Sequence, residues 1–225
     1  MSIPTERMHL WLMLALTFGT GVVDAVGYLG LDRVFTGNMT GNVVILGMAL
    51  VGADDLPIVG PALALVGFMA GAALGGRVLK GQEKTWTMRT TLLFSLVATV
   101  TVGLSVLLFV VGDDPKPAVG ITITTLLGGV MGVQAATARV IAVKDVTTVV
   151  VTSTITGLAA DSMFGSGKRT GSGRRALAVL LILAGAVVGA ALLRWHIGAG
   201  LLLAGVVMLA ATAVGALHHR ATRTP

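Results

Sequence analysis

The chain has 225 residues, no cysteine, 55% hydrophobic residues, only 12% charged ones and a mean hydropathy of +0.92. A soluble domain carries about 25% charged residues, so this composition sets aside a soluble globular fold and points to a single membrane domain over 1–225. The balance of 16 Lys and Arg against 10 Asp and Glu gives +6, but cytoplasmic loops collect such charge and only 4% of residues are aromatic, so no nucleic-acid partner is implied.

A bilayer core about 30 Å thick needs about 20 apolar residues per helix. In chain order the uncharged stretches are Leu10–Val23, continued after Asp24 by Ala25–Leu31, then Val34–Ala53, Leu56–Gly76, Thr90–Gly112, Pro117–Ala138, Val146–Ala160, Ala176–Leu193 and Ile197–Leu217. The first is too long for a signal peptide, and no small-residue cleavage site precedes Asp24. Six of the eight read as spans. Val34–Ala53 opens with the polar run Thr36 to Asn42, and Val146–Ala160 is short and rich in threonine. Lys and Arg gather in the loops 77–89 and 161–175 and in the C-terminal tail, whereas 112–116 is acidic. If all eight segments cross, the two basic loops fall on opposite faces. If the two polar segments enter and leave on one face, both basic loops and both termini are cytoplasmic. A seven-span arrangement, with only the second segment re-entrant, also satisfies the loops but puts the N-terminus outside. The expected fold is therefore all-α and integral to the membrane: six spanning helices plus two short broken or re-entrant segments.

The two polar segments share T-x-x-x-T-G, in Thr36–Gly41 and Thr152–Gly157. The helices before them carry Gly21-Val22-Val23-Asp24-Ala25 and Gly132-Val133-Gln134-Ala135. Each half then reads as helix, polar segment, helix, helix, so 8–112 and 117–217 are expected as structural repeats. Three crossings per half invert one against the other, a plan common among transporters and channels. A helix break is expected within Thr36–Asn42 and a second near Thr152–Gly157, each facing the interior.

These residues also carry a resemblance. The stretch Gly21–Gly47, with D-A…F-T-G-N-M-T-G-N, is similar to the N-terminal signature of the YoaK family of small bacterial membrane proteins of unknown function. Gly132–Arg139, then Val146 to Thr148 and Thr156–Asp161, resemble that family's second signature. Ala135 stands where Asn is usual in that signature. The resemblance implies about six spans and a cell-membrane location, and no established substrate.

Asp24 is the one acid inside a convincing span. A carboxylate at that depth normally faces the bundle interior, either as a coupling acid or as a structural acid bonded to the neighbouring polar segment. Asn38, Thr40 and Asn42 lie between or beside Gly37 and Gly41, where a half-helix from about Gly41 to Val51 would point its positive end inward. The bland alternative is a short helix whose Asn and Thr bond neighbouring helices. Gln134, Thr152, Thr154 and Thr156 would face this site from the other half, although single threonines often bond only their own backbone. Arg139 and Lys144 read as topology charges. Gly67, Gly71 and Gly75, and Gly185 with Gly189, form small-residue stripes for close helix packing and a candidate homodimer contact. Gly165-Ser166-Gly167-Lys168 lacks the spacing of a phosphate loop, and His218-His219 is too isolated for a metal site. No cofactor, metal or enzymatic motif is found.

The functional expectation is a transporter or channel for a small polar or ionic solute, with Asp24 and the two polar segments lining its site. The alternative is a non-transporting scaffold or sensor that packs against another membrane protein. The acid favours a cationic solute and the buried helix start an anionic one, and the sequence does not break that tie.

Overall fold

The computed structural model describes residues 4–82, 84–143, 151–162 and 171–222. Glu83, Lys144, the segment start 146–150, the loop Gly165 to Arg169 and Arg223 lie outside the described residues.

Among the described residues there are eight α-helices: α1 Thr5–Gly30, α2 Met39–Ala49, α3 Val59–Val78, α4 Met88–Val111, α5 Pro117–Ile141, α6 Val151–Ala160, α7 Ser172–Leu193 and α8 Ile197–Ala221. A 3-10 turn, Ala53–Asp55, follows α2. Six helices are long and apolar enough to cross a membrane: α1, α3, α4, α5, α7 and α8. With 11 residues, α2 rises only about 16 Å, half the hydrocarbon thickness. The all-α fold with two short segments is therefore as the sequence reading has it.

Local chemistry sets the helix ends. Pro117 occupies the first turn of α5, where its missing N–H costs nothing. Thr87 and Thr90 form a reciprocal cap at the start of α4. At the start of α8, Asp113 Oδ1 accepts the Ile197 N–H at 2.8 Å, and His196 Nδ1 accepts the Gly198 N–H at 2.9 Å.

The long helices pack mainly in pairs: α3 on α5, α1 on α7, and α4 on α8. Glycine makes the first two pairs close. A side chain at Gly71 would run into the Gly129 carbonyl, and one at Gly132 into that of Phe68. Likewise one at Gly185 would strike the Phe18 carbonyl, and one at Gly21 that of Ile182. The small-residue stripes are therefore filled inside the chain, by α5 and by α1.

These contacts fix direction. Gly185 meets Phe18, Gly189 meets Val22, and Leu193 reaches Gly30, so α1 and α7 run parallel. Gly205 meets Val102 and Gly198 meets Ser105, so α4 and α8 are antiparallel. Trp86, between α3 and α4, lies 6.2 Å from the His9 ring of α1 and against Gly215 of α8. The N-terminus, the 79–87 connection, the start of α7 and the end of α8 thus share one end of the bundle. Arg77, Arg89, Arg174 and Arg175, in the described parts of the two basic loops, lie at that same end.

Candidate functional site

The site begins where α1 stops. Asp32 and Arg33 adopt left-handed φ values of 60° and 56°, which turn the chain back along α1. Gly27 has no side chain, so the Val34 carbonyl packs directly against it, and the Val34 N–H donates to the Gly27 carbonyl at 3.3 Å. Phe35 stacks on Tyr28 with ring centroids 4.8 Å apart. Asn42, fully buried one turn into α2, satisfies the Phe35 backbone in both directions. Its Nδ2 donates to the Phe35 carbonyl at 2.6 Å, and its Oδ1 accepts the Phe35 N–H at 2.9 Å.

The returning chain then meets Asp24. Its Oδ1 accepts three successive backbone N–H groups, from Thr36 at 3.0 Å, Gly37 at 2.7 Å and Asn38 at 3.3 Å. Successive N–H groups converging on one oxygen form an anion-binding concavity, and charge-assisted bonds of this kind are the strong ones. A side chain at Gly37 would come within 2.8 Å of Thr20 Cγ2, so glycine lets the loop press onto α1. Asn38 then caps α2, its Oδ1 accepting the Gly41 N–H at 3.3 Å.

Beside this clamp lies a cleft of about 180 Å³. Thr20, Asp24, Asn38 and Thr40 line it from one half of the chain, and Thr152 of α6 and Ile182 of α7 from the other. Gln134 of α5 stands behind it: its Nε2 donates to Thr20 Oγ1 at 3.1 Å, and its buried Oε1 has no partner among the described residues. On the other flank of Asp24 an open, apolar groove of about 380 Å³ runs between α1 and α7, walled by Ala25, Tyr28, Phe35, Ala186 and Ala190. Asp24 and Ile182 border both spaces.

Of the residues expected at the site, Asp24, Asn38, Thr40 and Thr152 come together on the cleft, and Gln134 touches it through Thr20. Asn42 serves the Phe35 backbone instead. Thr154 is buried in α6 away from the cleft lining, and Thr156 is exposed, its hydroxyl donating to the Thr152 carbonyl at 2.9 Å. The break expected within Thr36–Asn42 is present, with 36–38 outside any helix, while the expected start of the short helix and the second expected break need correction. The short helix starts at Met39 rather than about Gly41, because Asn38 supplies the cap. No break occurs near Thr152–Gly157: α6 is continuous from Val151 to Ala160, since each threonine there can remain helical by bonding its own backbone. Arg175 ties the end of α6 to α7, donating to the Gly157 carbonyl at 3.0 Å and to Asp161 Oδ2 at 2.6 Å. The sequence reading missed Thr20, although its position four residues before Asp24 puts both on one helix face. Among the described residues no group of three metal-ligating side chains occurs.

Six apolar spanning helices and two half-length ones around a half-buried carboxylate define a multi-pass, all-α membrane protein. The chain belongs to the family described as Protein of unknown function (DUF1275), whose model matches residues 12–215. It is 31% identical over 197 residues to the UPF0700 transmembrane protein YoaK of Bacillus subtilis (strain 168), covering 84% of each chain. No solved structure matches it.

Proposed function

We propose that this protein moves a small polar or ionic solute across the bacterial inner membrane, through the cleft beside Asp24. The observation that carries this reading is the cleft itself, a polar space lined from both halves of a chain that otherwise packs its interior with apolar side chains. Irregular backbone at membrane depth is tolerated where it is buried in protein or lines a cavity, and Gly37 and Asn38 of the irregular 31–38 segment line the cleft.

The reading includes an inverted repeat over 8–112 and 117–217, which matching glycine contacts support. Gly21 faces the Ile182 carbonyl and the Ala186 nitrogen, while Gly132 faces the Phe68 carbonyl and the Ala72 nitrogen. Gly185 faces the Phe18 carbonyl as Gly71 faces that of Gly129. Gly189 meets Val22 and Ala25 as Gly75 meets Val133 and Ala136. One constant offset relates the α1 residues to those of α5 and another relates the α7 residues to those of α3, and in the first Asp24 corresponds to Ala135, not Gln134. The carboxylate is therefore one-sided, and α1 with α7 and α3 with α5 are two like units able to rock about the cleft. The Lys and Arg at the shared end support a cytoplasmic location for both termini.

A second reading, a membrane scaffold or sensor that packs against another membrane protein, draws on the three N–H groups that tie Asp24 into the fold. Solute flux into proteoliposomes separates the two. Transport requires saturable, protein-dependent flux that Asp24→Asn impairs in a folded protein; a scaffold gives no flux for any solute with either protein.

A further inference from the structure

We propose that the ligand of this site is a cationic amphiphile, an ammonium head on a short apolar body, with its head at Asp24 and its body in the groove between α1 and α7. The proposal rests on the reading of the cleft as a solute site and deepens it. Three observations point this way.

The first concerns sign. The inward-facing start of α2 and its three converging N–H groups would suit an anion, but the protein's own Asp24 already occupies them. A free anion would have to displace a carboxylate fixed in the same chain. The charge left facing the cleft is negative. Among the described residues lining the cleft and the groove there is no Lys, Arg or His, and Asp24 is the one carboxylate.

The second is continuity. Asp24 and Ile182 border both spaces, so a head in the polar cleft needs no second carboxylate to place its tail in the apolar groove. The third is the form of the groove. It follows the helix pair that Gly21 and Gly185 hold close, and Ala25, Ala186 and Ala190 leave it hollow where larger side chains would fill it. It opens outward between two spanning helices, so an amphiphile could enter from the bilayer. The chemistry named is that of a short-chain alkylammonium.

The test uses the full chain in lipid nanodiscs, with empty-nanodisc heats subtracted to remove partitioning. Calorimetric titration compares hexylammonium, methylammonium and hexanoate on wild type, Asp24→Asn and Ala190→Leu. Hexylammonium is expected to bind at least about tenfold more tightly than hexanoate, because only its charge complements Asp24. It should bind more tightly than methylammonium, because the groove takes its methylenes. Asp24→Asn should bring hexylammonium down to the hexanoate level. Ala190→Leu should weaken hexylammonium about tenfold and leave methylammonium unchanged. Equal binding of hexylammonium and hexanoate to wild type would overturn the proposal by showing that the groove holds any acyl chain. Equal binding of hexylammonium and methylammonium, or an Ala190→Leu protein with unchanged hexylammonium affinity, would overturn it by removing the groove. The wild-type and Ala190→Leu arms decide the matter even if Asp24→Asn does not fold. Alkylammonium binding without flux of any solute would defeat the transport reading alone, and saturable flux of an anion with no alkylammonium binding would defeat this proposal alone.

Discussion

Replacing Gly71 by alanine tests the helix pairing on which the site hangs. The added methyl would run into the Gly129 carbonyl oxygen and sit 2.7 Å from its carbon and 3.1 Å from the Gly129 Cα. Carbon atoms rest at about 3.5–4.0 Å, so α3 and α5 must part by about 1 Å. The obstacle is backbone, and no rotamer change can relieve it. Overpacking of this kind costs about 1–3 kcal/mol, while the helical preference of alanine over glycine returns up to about 1 kcal/mol. The tight contact argues for the upper end, so a net loss of about 2 kcal/mol is expected, which lowers Tm by roughly 4–8 °C in a domain of this size. Gly185→Ala, which meets the Phe18 carbonyl in the matching α1–α7 pair, should behave alike. Gly76→Ala on the exposed face of α3 meets nothing within 4 Å and should leave Tm unchanged or raise it slightly. Thermal melting in one detergent, read by tryptophan fluorescence, makes the comparison. Gly71→Ala and Gly76→Ala melting together would refute the close packing of α3 on α5.

Three further outcomes follow from the same geometry. Asp24→Ala leaves the Thr36 and Gly37 N–H groups buried without an acceptor and should lower stability by about 2 kcal/mol or more, whereas Asp24→Asn keeps a carbonyl acceptor and should cost about half as much; equal melting of the two proteins would contradict the clamp. Gly215→Ala places a methyl 2.7 Å from Trp86 Cε2, and Trp86 is buried and held by its Nε1 donating to Thr91 Oγ1 at 2.8 Å. It should lower Tm and shift the buried component of the emission, since Trp11 and Trp195 are exposed at 59% and 76%. Single cysteines placed at the exposed Lys80 and Gly173 should both resist an impermeant maleimide in intact cells and react after permeabilisation; labelling of only one would break the shared-end topology.

The spans were legible because length and hydropathy alone decide whether a helix can cross a bilayer, and α5 begins at the Pro117 the sequence marks. The departures are local. Thr152–Gly157 and Thr36–Gly41 share a pattern, yet one is continuous helix and the other loop and cap. What separates them is a tertiary partner: the Asp24 carboxylate gathers the Thr36, Gly37 and Asn38 N–H groups, and no pattern of letters records that contact. Asn42 looked like a site residue and instead pairs with the Phe35 backbone seven positions earlier. The Gly stripes promised close packing and delivered it, but only the structure shows that each stripe faces a carbonyl within its own chain.

The central claim is that the cleft beside Asp24 passes solute. The most direct measurement is uptake into proteoliposomes reconstituted with wild type or with Asp24→Asn, using a panel of small cations, anions and neutral solutes, with melting measured on the same preparations. The account requires saturable uptake of at least one solute by wild type, and its loss in an Asp24→Asn protein that still folds and inserts. Uptake no greater than in protein-free liposomes across the whole panel, or uptake unchanged by Asp24→Asn, would contradict it.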